Sequence, residues 1–263
     1  MSLRTTSTHR KARFTKALAT ALTVTALAGL FGAAPSQAQN WTAANIQYLI
    51  GPDLEDPPGP NVVPTLTFEV ANGWKYGDNF FFTDVVNGPT YDKNKAVNTY
   101  GEWHSRLSYS KITGKTVALG PITDVLLASE LDFAAGVGAA TNHLMGVGFN
   151  LKVPGFIFFN VDLYVRDEPA VDGVGFQVSP YWLLPFKVGP LDMTFGGWFD
   201  FMTGEDSQET WWQMQPTLMA DIGKFWGAPG KVSAGLEYEY FSNFLGIKDF
   251  TVNRPQFVTM WKL

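Results

Sequence analysis

GWKYGDNFFFTD, residues 73–84, sets three consecutive phenylalanines between two aspartates. Side chains alternate across an extended strand, so Asp78, Phe80, Phe82 and Asp84 share one face while Phe81, Thr83 and Val85 share the other. A strand in a soluble core would hardly put two carboxylates on the same face as two phenylalanines. A strand with lipid on one side and a narrow wet lumen on the other suits both.

The same alternation runs through the chain. It predicts strands over 42–50, 62–70, 78–86, 100–109, 123–133, 141–151, 156–166, 173–183, 190–200, 210–221, 231–241 and 255–263, with almost no sustained helical period. Most have the length a tilted strand needs to cross a bilayer. Their faces differ sharply: 231–241 sets Ser233, Gly235, Glu237 and Glu239 against Val232, Ala234, Leu236, Tyr238 and Tyr240. By parity all acids inside the strands fall on the polar face, thirteen in number against the bases Arg106, Arg166, Lys231 and Lys262.

A lipocalin-like soluble barrel, apolar inside and charged outside, would alternate equally well. Strand length, the aromatic-rich apolar face and the charge of the connections favour the inverted arrangement. The connections 71–77, 110–122, 152–155, 184–189 and 222–230 carry lysines and no acid, whereas the other set, including GPDLEDPPGPN, DEPAVDG and MTGEDSQE, is acidic. The expected fold is all-β: a closed antiparallel transmembrane β-barrel of about twelve strands, with no edge left unpaired in lipid. Both termini then face the periplasm and the acidic loops face outside.

Residues 1–38 are a different polymer. Arg4, Arg10, Lys11, Arg13 and Lys16 precede an apolar run from Ala17 to Phe31, and Ser36-Gln37-Ala38 offers small residues for cleavage, the pattern of a secretory signal. The expected division is a cleaved signal peptide over 1–38 and one barrel domain over 39–263. Without the signal, 14 bases stand against 24 acids, a net charge of −10 (14 − 24). That balance excludes a nucleic-acid footprint, and with no cysteine there is no disulfide framework. The closing PQFVTMWKL alternates to its end and resembles the terminal-strand signal read by the barrel assembly machinery.

The stretch HSRLSYSKITGKTVALGPITDV, 104–125, is similar to the arginine-leucine-serine strand, the leucine-threonine-glycine-lysine turn and the glycine-proline step of the Tsx/OmpK family of nucleoside-specific outer-membrane channels. GWKYGDNFFFTD and NIQYLIG, 45–51, resemble that family's opening hairpins. The resemblance implies a monomeric twelve-stranded barrel in the cell outer membrane, passing nucleosides through a narrow lumen of aromatic and ionisable groups. By motif, only Arg106 and the Phe80/Phe82 neighbourhood carry over.

Parity supplies the remaining candidates for contact with solute: Asp84, Glu102, Tyr164, Arg166, Tyr181 and Trp198. Aromatic planes beside carboxylates suit a flat, hydroxyl-bearing neutral solute, although the same phenylalanines could simply fill a small barrel. Trp103, Trp182, Trp212 and Trp261 fall on the lipid face, as interface residues do. Two other readings remain: a channel for another small neutral or cationic solute, and a soluble secreted barrel binding an apolar ligand.

Catalysis has little to work with. Of three histidines, His9 lies in the signal, His104 faces the lumen and His143 faces lipid, so no histidine pair is spaced for a metal. A Ser/His/acid set could use only His104, Glu102 and Ser108. GVGAATN and MGVGFN sit at a turn and within a strand rather than at a helix start, and close strand packing explains them better than phosphate binding. No enzyme activity, cofactor or metal is expected.

Overall fold

The computed structural model describes residues 41–54, 61–87, 98–135, 141–168 and 171–263. The expected signal segment lies outside them, as do most of 55–61 and parts of 136–142 and 167–173.

Backbone pairing organises everything described. The strands are β1 (Trp41–Asp53), β2 (Asn61–Trp74), β3 (Gly77–Val86), β4 (Asn98–Ser108), β5 (Ile122–Ala135), β6 (Thr141–Leu151), β7 (Phe158–Asp167), β8 (Gly175–Val188), β9 (Leu191–Met202), β10 (Trp211–Met214), β11 (Thr217–Asp221), β12 (Val232–Ser242) and β13 (Val252–Lys262). From β1 to β9 each strand pairs antiparallel with the next, β10 and β11 each pair with β9 and β12, β12 pairs with β13, and β13 returns to pair with β1, closing the sheet. β10 and β11 are two halves of one strand: Trp211 opposite Met202 and Thr217 opposite Gly196 keep a single register across the break at Gln215 and Pro216. Proline has no N–H to give to the ladder, and Gly197, at φ +141°, faces the carbonyl of Gln215, where a Cβ would lie 2.6 Å from that oxygen. Twelve strands therefore cross, one for each stretch expected from the alternation.

The barrel is inside-out relative to a soluble one. Its exposed large side chains include Phe68, Phe81, Trp103, Val147, Leu163, Val165, Phe176, Phe201, Leu236, Phe257 and Trp261, all on the outer face of their strands, while Asp124, Glu130, Asp132, Asp162, Asp200 and Glu239 are buried inside. That distribution rules out the lipocalin-like alternative. Trp103 and Trp261 stand free on the outer wall, 52% and 61% exposed. Trp182 packs there against Phe159 and Phe195, and Trp212 against Phe199 and Tyr240.

Several strands run past the limits set by alternation; β2, β5 and β8 have 14 residues each. Hydrogen-bond pairing needs no apolar side chain, so the ladder continues beyond the point where the greasy face stops. Three corrections follow. Asp53, Asp167 and Arg254, expected in connections, lie in β1, β7 and β13; Lys187, also placed in a connection, lies in β8; and Lys231, expected in a strand, is an exposed residue just before β12.

At the end carrying the termini, the connection after β4 begins with a short helix, α1 (Tyr109–Thr113). Ser108 caps it by accepting the Lys111 N–H at 3.0 Å, and Gly114 ends it at φ 71°. The Lys111 ammonium reaches across to the carbonyls of Gly77 at 2.7 Å and Trp74 at 3.3 Å, tying this turn to the β2–β3 turn. The SKITGK segment thus secures one end of the barrel.

Candidate functional site

Register decides which lumen groups meet. Across β2, β3 and β4 the facing sets are Ala71, Phe80 and His104; Glu69, Phe82 and Glu102; and Thr67, Asp84 and Tyr100. The two phenylalanine rings lie 5.9 Å apart, Phe80 is 5.7 Å from the His104 ring, and Phe82 is 5.9 Å from Tyr100. Glu102 accepts hydrogen bonds from the Tyr100 hydroxyl at 2.5 Å and from His104 Nε2 at 2.7 Å. Asp84 accepts from the Thr67 hydroxyl. Of the candidates named from sequence, Phe80, Phe82, Asp84 and Glu102 therefore form one partly exposed patch, with His104 and Tyr100 as members.

A second group sits nearer the termini. Arg106 grips Asp78 with two nitrogens, at 2.7 and 3.0 Å, and reaches Asp162 at 3.4 Å. Asp162, 1% exposed, also accepts from the hydroxyls of Tyr164 at 3.2 Å and Tyr181 at 3.3 Å, and the Arg106 guanidinium lies 5.6 Å from the Tyr181 ring centre. The reach from β4 to β7 is possible because the intervening wall is nearly bare. Arg106 faces Ala128, Ala128 faces Gly146, and Gly146 faces Tyr164. A Cβ on the neighbouring Gly148 would stand 2.4 Å from an Asp162 oxygen. The glycines of MGVGFN are thus required by close approach.

Arg106 and Tyr164 accordingly lie in the wall, 6% and 2% exposed, with their polar groups engaged by Asp78 and Asp162. Arg166 belongs to a third group at the end opposite the termini. It bonds Gln177 and Glu168, and lies 5.4 Å from the ring centre of Trp211, a buried lumen-side aromatic that alternation did not single out. Gln208 donates to Glu168 at 3.1 Å and the Glu209 N–H to Gly246 at 2.8 Å, so three loops hold one another at this mouth. Beside them Glu205 is 2% exposed, and burial, reinforced by Glu168, pushes its carboxyl above the usual range. Trp198 sits opposite Tyr181 in the β8–β9 register, beside the second group, with its ring 6.2 Å from Phe241.

The missed pair Asp53 and Arg254 completes the electrostatics. Arg254 bonds Asp53 at 2.8 Å and Glu239 at 2.7 Å. Alternation continues back through Asn253, but Pro255 was read as the strand's limit, which hid it. Each lumen arginine is therefore held by carboxylates, while other lumen acids are bonded to neutral donors: Glu69 to Asn45, Asp84 to Thr67, Asp200 to Gln213 and Glu237 to Thr217. The interior field is negative.

The Ser/His/acid set named from sequence is not brought together among the described residues. The Ser108 hydroxyl donates to Asp124 and caps α1, and His104, beyond Arg106 on the same face of β4, is engaged by Glu102.

The family model of the nucleoside-specific channel-forming protein Tsx matches residues 37–260. Two curated relatives, each named outer membrane protein OmpK and each from Vibrio parahaemolyticus, are 23% identical over 179 residues and 24% identical over 163. These matches cover 65% and 57% of this chain, and the chain spans 66% and 61% of the relatives' own lengths, just under two thirds. A solved bacterial polysaccharide outer membrane secretin aligns over 84% of this chain and 98% of its own at 9% identity, with a TM-score of 0.34, too loose a likeness to bear on the fold. On the family match, which runs the length of a closed barrel with an apolar outer wall and an acidic, aromatic interior, this chain belongs to the Tsx family of nucleoside-specific channel-forming outer-membrane proteins.

Proposed function

We propose that this barrel is a passive, non-catalytic channel for nucleosides. The observation that carries the reading is the patch of Phe80 and Phe82 beside Glu102 and Asp84: adjacent aromatic faces next to hydrogen-bond acceptors. A base stacks on the rings and the sugar hydroxyls donate to the carboxylates. The negative interior favours neutral and cationic solutes over anions, so nucleosides pass and nucleotides do not.

Stacking on an aromatic ring contributes about 1–3 kcal/mol per base. The double variant Phe80→Ala/Phe82→Ala is expected to lose nucleoside affinity at least tenfold (~1.4 kcal/mol) while salt conductance stays equal or rises. Nucleoside block of single-channel current in a planar bilayer measures both. Unchanged block assigns these rings to packing, and ready passage of nucleoside monophosphates sinks the selectivity.

The acidic excess also favours a second reading, a channel for another small cationic solute. Liposome uptake with nucleosides, sugars and amino acids side by side separates the two. The chain acts as a monomer in this proposal, inserted by the barrel assembly machinery through β13, whose outward Phe257 and Trp261 are 48% and 61% exposed.

The same proposal sets the termini in the periplasm. An epitope inserted at Asp206-Ser207, exposed in the β9–β10 loop, is expected to bind antibody on intact cells, and one at Gly114, in the α1 turn, only after permeabilisation. The opposite pattern inverts the orientation.

A further inference from the structure

His104 is the one lumen residue with carboxylates at both ring nitrogens among the described residues. Nε2 lies 2.7 Å from Glu102 Oε2 and Nδ1 lies 3.4 Å from Glu130 Oε2. The two contacts differ in kind. The first is a short hydrogen bond, whereas the second does not qualify as one, and Glu130 Oε2 is a buried atom with no hydrogen-bond partner on a side chain only 4% exposed. An oxygen so placed loses its hydration and receives no donor in return.

The 3.4 Å gap has a second meaning. Around a tetrahedral zinc ion, with bonds of about 2.0–2.1 Å to nitrogen and oxygen, neighbouring ligand atoms stand roughly 3.3 Å apart. Nδ1 of His104 and Oε2 of Glu130 are thus separated as two ligands of one such ion would be. On the other side of the ring, the neutral Nε2–H tautomer donates its proton to Glu102, which fixes the ring's orientation and in that form leaves the Nδ1 lone pair for a metal. That is the carboxylate–histidine–metal arrangement. Ligand atoms of Glu102, His104 and Glu130 all lie within 4.8 Å of one another. Asp132, paired across the strands with Glu102 and 6% exposed, has an unpartnered Oδ1 of its own and adds negative charge to the same stretch of wall.

We propose that His104 and Glu130 bind a single divalent transition-metal ion of the Zn²⁺ type in the lumen wall, with Glu102 as the positioning residue that orients the imidazole. The remaining coordination positions open toward the lumen. The set contains nitrogen as well as oxygen, so it selects zinc-like ions over Mg²⁺, which takes oxygen ligands. A general attraction of the acidic interior for cations makes no such distinction. The site does not depend on which solute the channel carries.

The test uses the full barrel purified in detergent and titrated calorimetrically with ZnCl₂ and separately with MgCl₂ near neutral pH. One Zn²⁺ per chain is expected, bound at least tenfold more tightly than Mg²⁺. His104→Gln and Glu130→Gln are each expected to weaken Zn²⁺ at least tenfold with Mg²⁺ unchanged. Glu102→Gln, which leaves both ligands in place, is expected to weaken Zn²⁺ by about tenfold, in the range seen for partners of metal-bound histidines. Folding of each variant is checked by heat-modifiable migration on gels. Equal affinity for the two metals overturns the proposal, as does a folded His104→Gln variant with the parent's Zn²⁺ affinity; either result makes His104 an ion-pair partner of its two carboxylates. The Zn²⁺ against Mg²⁺ comparison on the unsubstituted chain decides the matter even if Glu130→Gln fails to fold.

Discussion

Leu163→Arg is expected to stop the barrel assembling, while Asp162→Asn, one residue away, assembles. Leu163 lies mid-strand in β7 on the outer wall, 41% exposed, where the surrounding medium is hydrocarbon. An arginine there must leave water for lipid, at a cost of roughly 2–4 kcal/mol near the bilayer midplane. Asp162 points the other way and is 1% exposed among lumen side chains. Asparagine has nearly its shape and keeps one acceptor oxygen for the donors that surround it. Folding into lipid vesicles, followed by the gel shift between folded and heated barrel, reads both variants. Equal folding yields would show that the two side chains do not face different media, and the face assignment would fall with them.

Removing the Asp162 carboxylate altogether has the second large expected effect. Arg106 approaches it at 3.4 Å, and the Tyr164 and Tyr181 hydroxyls donate to it at 3.2 and 3.3 Å, all within a wall where the guanidinium is 6% exposed. Asp162→Ala leaves those donors facing a methyl group. Breaking a buried charge pair by deleting one partner costs about 3–5 kcal/mol. Because Arg106 keeps its two bonds to Asp78, the lower end, ~3 kcal/mol, is the expected loss, and Asp162→Asn should lose less than half of it. Urea unfolding in lipid vesicles measures the three proteins on one scale. An alanine variant as stable as the asparagine variant would mean that Asp78 alone satisfies Arg106 and that Asp162 is not the hub of this network.

Parity made much of the candidate site legible. Once 78–84 was read as a strand between lipid and lumen, Phe80, Phe82 and Asp84 had to share a face, and Glu102, His104 and Arg106 followed on β4. The same rule placed Tyr164, Arg166, Tyr181 and Trp198 inside. It said nothing about which would be presented to a solute. Arg106 carried over from a family motif as a solute-binding group, yet it lies against the wall between two carboxylates. That outcome depends on Ala128, Gly146 and Gly148, three small residues from two strands that happen to fall between β4 and β7.

Arg254 and Asp53 were missed for a related reason. Alternation marks the greasy part of a strand, and these residues lie on the part that continues as a hydrogen-bonded ladder beyond it. Trp211 was missed because it opens β10 at the mouth, where loops rather than lipid cover the neighbouring face.

By itself the sequence determined the fold class, the number of crossings and the face of nearly every strand residue. Those properties follow from a side-chain period of two and from the rule that lipid tolerates no unpaired backbone, both of which act locally along the chain. The tertiary structure alone decided register, and with it every partnership inside the barrel. Whether His104 meets Glu130, or Arg106 reaches Asp162, depends on how β4 through β7 are offset against one another. That offset is set by turn lengths, by small residues on intervening strands and by closure of β13 on β1. A carboxylate reads the same in sequence whether it ends beside a guanidinium, beside an amide or beside an imidazole nitrogen, and only the offset determines which.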